Sequence, residues 1–325
     1  MATASAQLKP AGNDAGIQPA LWLAFPVIAL LLYRQVINVV TSAHGDGPIA
    51  MLAVAVAIAI PLTGLAFASR SGFAAFAAYL TLIIPPVFAA SGGYIRIAGL
   101  GGYWTLLAVS VPIAVFGGGI ALSFSPGKLL VKLHRTTAVA LAVFVLAHLA
   151  NHPFALDSLA AHKSVQDVLR LVYRNAFVEP LLVAALAAQA ISGVALAWRG
   201  RHRQGFLNHA QAASGLFMAA FLCSHVMATL VSGRTLANTD TNFVFSAGGP
   251  AGLLHTAGAA MLIPYYFLAP IAFFTHVGGA VRRSLLRKRS SNANQVAVGL
   301  FATGVVLSLV ILAALCGVGG ISSGV

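Results

Sequence analysis

Runs of about 20 apolar residues, each long enough to cross a bilayer as a helix rising 1.5 Å per residue, recur about nine times along this chain. They fall at roughly 20–42, 49–68, 71–90, 103–123, 133–153, 174–198, 209–231, 253–280 and 295–317. Apolar residues make up 59% of the sequence and charged residues only 8%, where a soluble domain would carry about a quarter charged. The expected fold is therefore all-α and polytopic, with about nine transmembrane helices and the lipid bilayer as its first partner.

Charge gives the orientation. Lys and Arg number 19 against 6 acids. Acids so few cannot solvate a surface, so the net charge of +13 marks loops and lipid headgroups rather than a nucleic-acid partner. With the N-terminus inside, Lys9, Arg70, Lys128, Lys132, Arg135, Arg199, Arg201, Arg203, Arg282, Arg283, Arg287, Lys288 and Arg289 share one side. Arg96, Lys163, Arg170, Arg174 and Arg234 share the other, and Arg34 lies within the first span. Positively charged loops stay inside, which predicts a cytoplasmic N-terminus and an external C-terminus, in a bacterial inner membrane. The first 19 residues are polar with one lysine, which argues against a cleaved signal peptide. Cys223 and Cys316 fall inside spans, so no disulfide framework is indicated.

Histidines divide the chain. The first four spans have none, and His44 is in a loop; all the others fall between His134 and His276. The expected organisation is a polar tail (1–19), an N-terminal four-helix half (20–126), a histidine-bearing four-helix bundle (127–290) and a closing helix (291–325). The segments "TTAVALAVFVLAH" (136–148) and "ASGLFMAAFLCSH" (213–225) form a weak repeat in which Thr137 and Ser214 stand at the same distance before the final histidine.

An imidazole in hydrocarbon is costly without a partner, so a cluster of them is a functional signal. Alternating span directions put His148 and His225 in the outer leaflet on helices of the same direction. His134, His209 and His276 collect near the basic side. His152, His162 and His255 lie near the outer boundary, and His202 in a basic loop. Two neutral imidazoles at one depth on different helices are what bis-histidine haem ligation requires. His134 and His148, 14 residues apart, share a helix face and are separated by about 21 Å. A second haem on that pattern needs another helix with like spacing, and the seventh and eighth spans offer 16 (209 to 225) and 21 (255 to 276). The residues thus point to one haem b held by His148 and His225.

The segments "LHRTTAVALAVFVLAHL" (133–149), "YRNAFVEPLLVAALAAQAISG" (173–193) and "THVGGAVRR" (275–283) resemble the cytochrome b membrane anchor of succinate dehydrogenases and fumarate reductases, over about 130–290. The resemblance implies an outer haem on His148 and His225 and an inner one on position 189 and His276. Position 189 is Gln, a poor iron ligand, so Gln189 is expected to hydrogen-bond His276 instead. Arg135 of the His-Arg pair is kept, while the quinone-site serine three residues before that pair is Val131. His152 would meet a propionate or the headgroups, and His134 with Arg135 would anchor the basic end. Glu179 is either a proton relay to quinone or a residue placed at a helix N-terminus. The implied function is a membrane b-type cytochrome, a possible oxidoreductase subunit, passing electrons to or from quinone. A soluble redox subunit or a second copy of the chain would be its partner. The alternative is a haem-free transporter or lipid-linked scaffold on the same fold.

Overall fold

The computed structural model describes residues 19–42, 47–66, 72–125, 127–256 and 258–318; residues 1–18 of the polar tail, His44 and Arg70 lie outside the described residues. The described residues form helices without strands: α1 (Pro19–Ser42), α2 (Pro48–Ala66), α3 (Phe73–Leu82), α4 (Ile84–Ala98), α5 (Gly102–Pro112), α6 (Gly118–Leu122), α7 (Gly127–Asn151), α8 (Leu159–Tyr173), α9 (Val178–Gly200), α10 (Phe206–Val226), α11 (Phe243–Ser246), α12 (Ile263–Arg287) and α13 (Ala293–Leu315). Among the described residues eight helices are long and apolar enough to span a membrane, or nine if the bent pair α3–α4 counts as one span.

Proline sets the breaks. Pro85 and Pro86 have no N–H to give to the carbonyls of Thr81 and Leu82, so the third span turns by 60° at Ile83. Pro153 likewise cannot bond the Leu149 carbonyl, and α7 tightens into a 3-10 turn at His152–Leu156. The fourth span runs from α5 through a π turn at Ile113–Gly117 into α6. The stretch between α7 and α9, outside the expected spans, forms α8. Ser158 caps it by accepting from the Ala161 N–H at 3.0 Å. This helix is amphipathic, with Lys163 and Asp167 outward and His162 buried, which suits the interface rather than the bilayer core.

The side chains that face outward are those lipid would accept. Val139 and Val143 on α7 are 73% and 72% exposed, and Leu181 on α9 is 71% exposed. Inside, small residues let helices approach. A Cβ on Gly304 would lie 2.9 Å from Phe274 Cβ and 3.1 Å from the Pro270 carbonyl oxygen, so α12 and α13 meet backbone to backbone there. α10 is the central element, packed on α9, α12, α3 and α4. Its fully buried Ala213, Leu216 and Phe217 share one core with Tyr79 of α3, Val194 of α9 and Leu268 of α12. The N-terminal helices thus brace α9 and α10.

The loops segregate as the charge count anticipates. At the basic end the Gly72 N–H donates to the Arg201 carbonyl (2.9 Å), and Arg199 donates to the carbonyls of Ser123 and Ser125. At the far end the Leu253 N–H donates to the Leu315 carbonyl (2.8 Å). There Arg170 donates to both carboxylate oxygens of Asp240, at 2.8 and 3.2 Å.

Candidate functional site

α7 packs on α9 but stands off from α10 and α12. The gap holds two cavities, one above the other, and each is faced by a pair of imidazoles from different helices.

The larger cavity, about 210 Å³, lies toward the far end. His148 of α7 and His225 of α10 face each other across it with ring centroids 6.3 Å apart and planes at 66°. Each ring is seated on an aromatic one helical turn earlier. His148 stacks on Phe144 (5.8 Å, 19°) and His225 on Phe221 (5.2 Å, 12°). His152, one turn beyond His148, meets it edge-on at 4.9 Å, and its Nδ1 is buried without a hydrogen-bond partner. His162 of α8 closes the far side, its Nε2 accepting from Asn151 Nδ2 at 3.0 Å. Burial, with His148 and Arg170 nearby, holds the His162 imidazole down to about 4, so it is neutral at physiological pH.

The mouth of this cavity is polar. Arg234 donates to both oxygens of Glu179, and Arg174 donates to Thr241 Oγ1 at 3.0 Å. Glu179 is therefore both a first-turn residue of α9 and half of an ion pair beside the cavity. Burial alone would raise the Asp240 carboxyl, but Arg170 and Arg174 outweigh it and hold it below the ordinary range. These contacts tie the 237–242 loop to α8.

The smaller cavity, about 90 Å³, lies toward the basic end. His134 of α7 and His276 of α12 face each other here at 6.0 Å and 78°. His134 Nδ1 donates to Ser192 Oγ (2.9 Å), whose hydroxyl donates to the Ala188 carbonyl (2.6 Å). Gln189 Nε2 donates to His134 Nε2 at 3.2 Å, while Thr137 donates to Gln189 Oε1. The expected Gln189–His276 bond is not made. α9 lies between α7 and α10, so its polar face reaches α7, and His276 is satisfied from α10: its Nδ1 donates to the Gln211 carbonyl at 3.0 Å.

His209, which depth alone groups with these residues, turns the other way. It is fully buried, and its Nδ1 meets the Tyr79 hydroxyl of α3 at 2.6 Å. Arg135 is exposed at the basic end. Residues the sequence did not flag include Ser192, Gly215 and Gln211, the last with its side-chain oxygen held by Arg283. Polar residues one turn apart on α9, and a glycine on α10 at the depth of His276, were the available signals.

The paired geometry matches one use of two imidazoles. With metal–nitrogen bonds of about 2 Å and about 1.1 Å from each nitrogen to its ring centre, imidazoles on opposite faces of one iron have centroids about 6.2 Å apart. The 6.3 Å His148–His225 pair meets that spacing across a largely apolar cavity, and Arg174 and Arg234 at its mouth are the cations a propionate would need. Among the described residues no three His, Cys, Asp or Glu side chains converge as a bare metal ion would require. No protein-family model matches the chain, and no curated protein or solved structure matches it.

Proposed function

We propose that the chain is a membrane b-type cytochrome that passes electrons, to or from quinone, through haem held by His148 and His225. The observation that carries this reading is the pair of imidazoles from α7 and α10, 6.3 Å apart across an apolar cavity. Bound haem would supply a one-electron iron couple; the protein supplies ligands, burial and hydrogen bonds that set its potential. His148 and His225 would hold the group from two helices, with their rings stacked on Phe144 and Phe221. The apolar side chains around the two rings, Val145, Leu186 and Leu222 among them, would limit water at the ligands. Among the described residues His152 offers a buried nitrogen without a hydrogen-bond partner, and Glu179, ion-paired with Arg234, would be the group that exchanges a proton at the mouth. In this reading the basic end faces the cytoplasm and His148–His225 lies toward the outer leaflet.

A haem-free transporter or scaffold is the competing reading, favoured by the Gln189 amide seated on His134. A reduced-minus-oxidised spectrum of the purified protein decides between them. The cytochrome reading expects a low-spin α-band, weakened by His148→Ala and by His225→Ala alike and unchanged by His255→Ala, an exposed position. A wild-type protein without an α-band refutes it.

A further inference from the structure

We infer that the smaller cavity is a second haem site with His134 and His276 as its axial pair, so that the chain carries two haems one above the other. This rests on the cytochrome reading above and extends it to the basic end.

The spacing is the first support: the two rings are 6.0 Å apart, close to the spacing that two imidazoles sharing one iron require. Tautomers are the second. His134 Nδ1 is committed as a donor to Ser192, whose own proton is spent on the Ala188 carbonyl. His276 Nδ1 is committed as a donor to the Gln211 carbonyl. Both Nε2 atoms are thereby left with a lone pair. A carbonyl or hydroxyl behind the distal nitrogen is the usual arrangement that orients a metal-ligating histidine.

The third support is the lining. Gly193 and Gly215 flank the two rings. A Cβ on Gly193 would lie 3.6 Å from His134 Cε1, and one on Gly215 would lie 2.8 Å from His276 Cε1 and Nδ1. Ala138, Ala142 and Ala219 continue the small-residue surface that a flat ring between helices would need. The resemblance to the succinate dehydrogenase anchor places the ligand at position 189; the geometry points instead to His134, with Gln189 as the residue that must release Nε2 before iron can be bound. Its Thr137 contact gives the amide a place to stay after that release.

The fourth support is continuity. Val145, Leu186, Met218, Leu222 and Phe273 line both cavities, so a single layer of side chains separates them. The ligands His134 and His148 are about 21 Å apart along α7, and the pair of sites would reach from one leaflet to the other.

Haem-to-protein stoichiometry by pyridine haemochrome, with a redox titration of the α-band, tests this on the full chain in detergent. The inference expects two haems per chain and two midpoint potentials. His134→Ala and His276→Ala should each remove the same spectral component and halve the haem, and His148→Ala should remove the other. Ser192→Ala, which leaves both ligands in place, should raise one midpoint potential and leave the other unchanged, because losing the acceptor makes the His134 imidazole a weaker donor to iron. One haem per chain, lost in His148→Ala but retained in His276→Ala, overturns the second site and leaves the cytochrome reading standing. No haem in the wild type overturns both.

Discussion

Replacing Gly215 by alanine should destabilise the protein, although glycine-to-alanine within a helix ordinarily stabilises it. In mid-helix the exchange is worth up to about 1 kcal/mol in alanine's favour. Here the new Cβ would lie 2.8 Å from two atoms of the His276 ring, against a comfortable carbon contact of about 3.5–4.0 Å. The ring must retreat by roughly 0.7–1.2 Å. Its Nδ1 bond to the Gln211 carbonyl, now 3.0 Å, then passes the limit of a useful hydrogen bond. Overpacking costs about 1–3 kcal/mol, and interhelical bonds in membranes contribute about 0.6 kcal/mol on average. Set against the gain in helix propensity, the net loss is about 0.6–2.6 kcal/mol. Gly299 on α13, where an added Cβ meets nothing within 4 Å, is the control, and its alanine variant should be neutral or slightly stabilised. Thermal unfolding of the three proteins in one detergent reads the difference. A Gly215→Ala protein at least as stable as wild type would refute the claim that His276 is seated against this glycine.

Acid should weaken the far end. His162 is held neutral with a value near 4, below its ordinary 6.5, so its contribution is complete above about pH 6.5 and fades as pH falls toward 4. Melting temperatures of wild type and His162→Gln at pH 7.5 and 4.5 should converge at the lower pH; a constant gap argues against it. Asp240→Asn should cost only about 0.2–1 kcal/mol, because Asp240 is half exposed, yet it should speed proteolysis of the 237–242 loop as Arg170 and Arg174 lose their partner. Equal cleavage rates would show that the loop is held by other contacts. Cysteines introduced at Thr239 and Ser291, both exposed, lie at opposite ends of the bundle. In cells Thr239→Cys should react with an impermeant maleimide and Ser291→Cys only after permeabilisation, and the reverse pattern inverts the orientation.

The spans were legible because hydropathy over about 20 residues is a property of each segment alone. The break at Pro85–Pro86 has an equally local cause, since a missing N–H acts within its own helix. α8 was not legible, because its apolar residues become a stripe only when the segment is read as a helix against an interface. The match of His148 with His225 followed from depth and direction. Depth alone left His134, His209 and His276 undivided at the basic end. What separates them is azimuth: Tyr79, from the half without intramembrane histidines, draws His209 away, and the Gln211 carbonyl fixes His276 toward the gap. Gln189 was assigned the wrong histidine because the direction of a side chain on α9 depends on which neighbour α9 packs against.

The spacing on α7 had a further meaning that a helix-by-helix search misses. Fourteen residues bring His134 and His148 to nearly the same face, so one helix offers imidazoles at two depths toward one gap. A repeat of that spacing on a second helix is one way to complete two pairs, and no helix of this chain has it. Geometry asks only for one facing imidazole at each depth, from whichever helix borders the gap. α10 runs parallel to α7, so a histidine near its C-terminal end arrives beside His148. α12 runs antiparallel to α10, so a histidine in its second half arrives beside His134 at the basic end. The two partners thus sit on neighbouring antiparallel helices, His225 at the end of α10 and His276 near the middle of α12, and come out at different depths. That is why His225 and His276, on adjacent helices, serve different cavities.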